Sequence, residues 1–236
     1  MRKKLLPQEV LKLIACITML IDHFGYAIVP RLAIANAEVI CYICRIIGRL
    51  SFPIYCFLLA EGMRHTRNPG KYFLRLGCGM LLAELPYDLM RYGKVYWGSQ
   101  SVMLTLLLGA IMIFCMQKLG SGIMKLLAIF PFVAIAEILF ANYGACGILL
   151  IAMFALTDRL LPQILCTILI SWQIPSLLIT VCGMELPIQV FAVFAVIPIA
   201  LYSGKKLTHN KVLQWGFYLF YPVHLLILWV ILRCMM

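Results

Sequence analysis

Between Val10 and Pro30 the chain is almost uniformly apolar, yet an acid and an imidazole, Asp22 and His23, lie well inside the run. Twenty-odd residues at about 1.5 Å rise each cover the roughly 30 Å of a bilayer's hydrocarbon core, so this stretch predicts a membrane-crossing helix. A charged side chain at mid-helix costs about 2.5–3.5 kcal/mol on insertion scales. Asp22 and His23 must therefore face protein or water and not lipid.

The rest of the chain repeats the pattern. Apolar residues make up 64% of its 236 positions and charged residues 12%, against about 25% charged in an average soluble domain. Mean hydropathy is +1.00. The apolar runs are continuous and not alternating, which excludes a β-barrel and predicts an all-α, polytopic helix bundle. The opening segment lacks a small-x-small cleavage site and reads as a retained helix, not a signal peptide.

Nine spans fit the hydropathy: about 10–30, 39–63, 72–90, 102–119, 123–140, 144–158, 160–180, 187–203 and 212–233. The short Thr157-Asp158-Arg159 connection leaves eight or ten as alternatives. With the N-terminus cytoplasmic, Arg2, Lys3, Lys4, Arg64, Arg67, Lys71, Arg75, Lys118, Lys125, Arg159, Lys205, Lys206 and Lys211 fall inside, and only Arg31, Arg91, Lys94 and Arg233 outside. That bias follows the positive-inside rule, and it explains the net charge of +11 without nucleic acid. No linker, low-complexity tract or internal repeat divides the chain, so residues 1–236 form one integral membrane domain. Pro53, Pro86 and Pro222 lie inside spans and are expected to kink them, as is common where helices line a polar cavity.

Most of the ten cysteines lie within apolar segments (Cys16, Cys56 and Cys115 among them), where Cys packs as a small hydrophobe. Cys41 and Cys44 make a Cys-x-x-Cys, but no second pair or nearby His completes a zinc set, and no metal is expected.

The polar residues within spans concentrate near the N-terminus and in the last span. Arg45 and Arg49 are four apart on one helical face, ahead of Pro53. An arginine fork grips phosphate or carboxylate bidentately. Glu61, Arg64 and His65 cluster near the cytoplasmic surface, either as an interfacial ion-pair network or as a site for an anionic cytosolic ligand. Glu84 and Asp88 share a face and are expected as counter-ions to Arg45 or Arg49, with catalytic duty as the alternative. Tyr221 and His224 point the same way from the last span. Adjacent helix residues diverge by about 100°, so His23 is expected to face a cavity while Asp22 pairs with an arginine of the second span. Histidine exchanges protons near neutral pH, which suits a general base.

Several elements resemble the TraX family. They are Leu20-Ile21-Asp22-His23 with Gly25, Arg45 through Gly48-Arg49 to Pro53, Glu61-Gly62 with Arg64 to Asn68, and Tyr72 with Arg75. Glu84-x-Pro86-x-Asp88, Thr105 with Gly109, Tyr143-Gly144 and Tyr221-Pro222-x-His224 continue the resemblance almost to the end. The family's founding protein acetylates the N-terminal amine of pilin in the bacterial inner membrane, and the family is similar to membrane acyltransferases that use cytosolic acetyl-CoA. The resemblance implies that His23 is catalytic, with Asp22, Arg49 and His224 beside it. It implies that Arg45 and Arg49 hold the donor's phosphates or polarise its thioester, helped by Glu61, Arg64, His65, Arg67 and Arg75. Glu84, Asp88, Thr105 and Tyr221 would complete a polar cavity. The acyl donor would be acetyl-CoA, and the partners the lipid bilayer and an acceptor protein, glycan or small molecule. A proton-coupled secondary transporter is the alternative, although it predicts an internal symmetry that the sequence lacks. A structural subunit of a secretion or conjugation apparatus is a third reading.

Overall fold

A computed structural model describes residues 5–174, 176–181, 183–208 and 210–235. Arg2, Lys3 and Lys4 of the basic N-terminus lie outside them. The described chain is almost entirely helical. Helix α1 (Gln8–Ala27) leads through a short 3-10 turn to α2 (Ala37–Gly48) and α3 (Ser51–His65). Helix α4 (Pro69–Tyr92) starts with the Asn68 side chain accepting from the Lys71 amide, a proper N-cap, and stops at Gly93 with φ of 69°. Then come α5 (Val102–Gln117), α6 (Gly122–Leu127), α7 (Ile129–Ile138), α8 (Gly144–Leu156) and α9 (Leu160–Trp172). An antiparallel hairpin of β1 (Leu178–Val181) and β2 (Met184–Pro187) pairs Leu178 with Pro187. A 3-10 stretch over Ile188–Ala195, α10 (Val196–Ala200) and α11 (Lys211–Cys234) complete the chain.

Three expected spans are interrupted, and one cause serves for all. A proline has no N–H for the carbonyl four residues back, and its ring crowds that carbonyl. Four residues before Pro53 is Arg49, where α2 gives way to α3. Four before Pro131 is Leu127, the last residue of α6, and four before Pro198 is Phe194, where the 3-10 stretch passes into α10. Pro86 and Pro222 stay inside continuous helices. The segment expected over 160–180 ends as helix at Trp172, and the hairpin follows it.

Gln8–Arg31, Ala37–His65 and Val212–Cys234 are long and apolar enough to cross a membrane. Shorter apolar helices include Val102–Gln117 and Gly144–Leu156. Leu11, Ile54, Met112, Ile148, Ile151 and Leu225 fill the core. Outward-facing Leu81, Phe130, Ile138, Leu169 and Ile227 give the bundle an apolar exterior. Helix α1 sits among α2, α3 and α11. It approaches α2 closely because glycines lie at the crossing: a Cβ on Gly25 would overlap Cys44, and one on Gly48 would overlap Asp22.

The bundle has two ends. At the basal end the Leu5, Leu6 and Gln8 amides donate to carbonyls of Leu201 and Lys205, tying the start of α1 to the chain before α11. At the distal end the Gln100 amide donates to the Phe140 carbonyl. Every cysteine that the structure describes is free.

Candidate functional site

The proline-induced break shapes the first half of the site. Because the Arg49 amide turns to the Ile46 carbonyl, the Arg45 carbonyl is left without its usual helical donor. The Arg49 side chain supplies one, its Nε donating at 3.0 Å. This folds the guanidinium back against α1. Arg49 Nη2 then donates to Asp22 Oδ1 at 2.5 Å and Nη1 to Gln189 Oε1 at 2.8 Å, while Arg45 Nη1 donates to Asp22 Oδ2 at 2.9 Å. Asp22 and Arg49 are buried. One carboxylate thus holds two guanidinium groups, the buried Arg49 and the half-buried Arg45, leaving the triad one positive charge in excess.

His23, the next residue of α1, turns to α11. Its Nδ1 lies 2.7 Å from His224 Nε2, and His224 Nδ1 lies 2.7 Å from the Phe220 carbonyl oxygen. The two imidazoles lie edge to edge, their planes within 17° and their centroids 5.0 Å apart, as an in-plane hydrogen bond requires, and the Phe220 ring stacks on His224 at 4.8 Å. A carbonyl only accepts, so His224 Nδ1 carries a hydrogen and, in the neutral ring, Nε2 is the acceptor. His23 Nδ1 must then donate to it. The hydrogen-bond order places an unshared pair on His23 Nε2.

His23 lines a cavity of about 1310 Å³ that reaches both ends of the bundle. Lys12, Arg67, Arg75, Lys205 and Lys206 stand around its basal part. Asp22, Arg45, Arg49, Tyr55 and Phe52, whose ring stacks on Tyr143 at 3.9 Å, form its waist. Tyr26, Arg91, Gly98 and Asn142 line the distal part. His224 is buried behind His23 and borders a separate apolar groove with Leu20, Phe24 and Ile227. The hydrogen-bonded imidazoles therefore stand between a polar cavity and an apolar groove.

The residues singled out from sequence divide accordingly. Asp22, His23, Arg45, Arg49, Glu61, His65, Arg67, Arg75 and Tyr221 all line the cavity. Arg64 does not: it pairs with Asp158 at 2.5 Å and donates to the Phe154 and Ala155 carbonyls, closing the C-terminus of α8. Glu61 faces His65 at 3.2 Å. Glu84 and Asp88 do not meet Arg45 or Arg49. Glu84 accepts from the Ser101 amide and Asp88 from the Tyr96 amide, so together they hold the 93–101 connection against α4. Thr105 is buried and donates to the Asn142 carbonyl. Among the described residues no group of three or more His, Cys, Asp or Glu side chains is placed to hold a metal ion.

Sequence reasoning missed Lys12, Gln189, Arg91 and Tyr26 as cavity residues. Lys12 had a signal, since it, Met19 and His23 are separated by seven and four residues on one face of α1. Gln189 had none, because it reaches Arg49 across 140 positions.

The model of the TraX protein family matches residues 7–232. The chain belongs to the TraX family. Together with the apolar helices, this makes it a membrane protein. It is also similar to a probable fimbrial assembly protein, FimC of serogroup H1, from Dichelobacter nodosus, at 36% identity over 80 residues. Those residues are 34% of this chain and 31% of that protein, so the chain spans about a third of the relative's length. No solved structure matches the chain.

Proposed function

We propose that this protein is a membrane acyltransferase that moves an acetyl group from acetyl-CoA to an amine or hydroxyl acceptor. One observation carries the reading: His23 presents a ring nitrogen with an unshared pair in a cavity beside two arginines, its tautomer set by His224 and the Phe220 carbonyl. That is the arrangement of a general base held by an orienting partner.

In this mechanism His23 Nε2 takes the proton as the acceptor's nitrogen or oxygen attacks the thioester carbonyl. Charge develops on the carbonyl oxygen, and Arg45, which lines the cavity beside His23, is the donor placed to stabilise it. Collapse of the tetrahedral intermediate breaks the carbon–sulfur bond. The thiolate of CoA leaves with the proton that His23 returns.

The basal mouth is read as cytoplasmic and as the entrance for the donor, its five cationic side chains suited to the phosphates of CoA. From Lys12 to His23, eleven residues of α1 rise about 16 Å. The thirteen bonds between the sulfur and first phosphorus of CoA, equivalent to about four extended residues, cover about 15 Å. The phosphates at the mouth and the thioester at His23 are thus compatible with one bound molecule. The family and the fimbrial relative put a pilin-like N-terminus or another envelope component forward as acceptor, reached in the bacterial plasma membrane by a multi-pass enzyme. The test is transfer of radiolabel from acetyl-CoA to fractionated host membranes by purified protein, with folded His23→Ala as control. Label on a defined acceptor with the wild type alone supports the reading. Absence of both transfer and acetyl-CoA binding by calorimetry refutes it and moves proton-coupled transport to the front.

A further inference from the structure

Arg91 closes α4 at the distal mouth, and nothing in the reaction above uses it. The side chain is exposed to the cavity but is not loose. Its Nε donates to the Tyr92 hydroxyl at 3.1 Å, at the edge of that ring, and its guanidinium lies over the Tyr26 ring at 5.8 Å. Tyr92 in turn rests on Tyr96 at 4.5 Å. A tyrosine platform of this kind fixes the plane of the fork while its terminal nitrogens stay available. Among the described residues no carboxylate pairs with Arg91, whereas Arg45, on the same Tyr26 ring at 5.4 Å, is held by Asp22.

The surrounding charge points the same way. Of the acids lining the waist and distal part of the cavity, Asp22 is engaged by two arginines and Glu137 accepts from the Ala145 amide at 2.6 Å. A cationic group entering from the distal side meets an excess of positive charge, and an anionic one meets an oriented, unpaired guanidinium.

We infer that Arg91 binds a negatively charged group, phosphate or carboxylate, of the acceptor, which therefore carries its nucleophilic hydroxyl or amine alongside an anion. This rests on the acyltransferase reading and narrows its acceptor class. It disfavours a simple N-terminal ammonium and favours an anionic envelope component.

The test is binding in an uncharged maltoside detergent and phosphate-free buffer, read by saturation-transfer NMR on four probes: glycerol 3-phosphate, glycerate, glycerol and alaninamide. Acetyl-CoA binding is measured in parallel by calorimetry on wild type, Arg91→Gln, Arg91→Lys and Arg75→Gln. The expected result is that one or both anionic probes bind the wild type at least about tenfold more tightly than glycerol or alaninamide, the worth of one charge-assisted contact. The two anions separate phosphate from carboxylate. Arg91→Gln should erase the preference, Arg91→Lys should keep part of it, and Arg75→Gln should weaken acetyl-CoA alone. Equal binding of all four probes, a preference that survives in Arg91→Gln, or one that disappears in Arg75→Gln overturns the inference. If acetyl-CoA binds and the anions do not, this inference falls alone. If acetyl-CoA does not bind, the acyltransferase reading falls with it.

Discussion

Replacing His224 with Phe keeps a ring of similar size against Phe220 but removes the acceptor for His23 Nδ1. In the variant that N–H points at a buried site with no partner, at a cost of about 1–3 kcal/mol. His23 escapes the cost by carrying its hydrogen on Nε2, which takes the unshared pair away from the cavity. At about 1.4 kcal/mol per factor of ten, the competent tautomer falls to roughly a tenth to a hundredth of the molecules. The imidazolium formed in the transition state also loses a hydrogen bond of about 1.5–3 kcal/mol, a further factor of roughly ten or more. The expected fall in kcat is about 10²–10³-fold, within the 10²–10⁴ range of general base catalysis. The assay is release of CoA thiol at saturating acetyl-CoA with the membrane acceptor, on protein whose folding is checked by thermal melting. The KM for acetyl-CoA should stay unchanged, and the double variant with His23→Ala should be no slower than His23→Ala alone. A loss of less than about threefold, or losses that multiply in the double variant, would refute the relay.

Asp22→Asn leaves two guanidinium groups facing a neutral amide in a buried site, and should destabilise the protein by about 3–5 kcal/mol, read as a lowered midpoint in detergent-titrated unfolding. Gly48→Val forces α2 away from Asp22, and Gly25→Val forces α1 away from Cys44 of α2; each should lower Tm measurably, whereas Gly77→Val, with nothing near its Cβ, should be close to neutral. Arg67→Gln or Arg75→Gln at the basal mouth should raise the KM for acetyl-CoA several-fold with kcat little changed, since the phosphates lie far from the bond being broken.

How much of this was legible in the sequence depended on the range of the contacts involved. The helical class, the position of Asp22 opposite the Arg45 and Arg49 face, and the cavity-facing His23 follow from spacing within two neighbouring helices. Pro53 was readable as a disturbance of its helix, but not as the device that frees the Arg45 carbonyl for Arg49, because that depends on how the break rotates one side chain. Glu84 and Asp88 were assigned to the wrong partners for a local reason. The backbone amides of the 93–101 connection lie closer than any arginine, and loop geometry cannot be read from hydropathy. For Arg64 the spacing left an interfacial ion-pair network and an anion site both open, and the network is what forms, because Asp158 faces it across 94 positions. Gln189 enters the cavity only through the packing of distant segments and no periodicity marks it, whereas Arg91 follows Glu84 and Asp88 at seven and three residues on one side of α4.

The measurement that reaches the centre of the account is the ¹⁵N NMR spectrum of the histidine side chains in the reconstituted protein at neutral pH, assigned with His23→Gln and His224→Phe. Ring nitrogens with and without hydrogen resonate in separate regions, so the tautomer is read directly and not inferred from neighbours. The account predicts a protonated Nδ1 and an unprotonated Nε2 on both His23 and His224, with the His23 Nδ1 signal changing in His224→Phe. A His23 ring protonated on Nε2, or on both nitrogens, would leave no base facing the cavity and would contradict it.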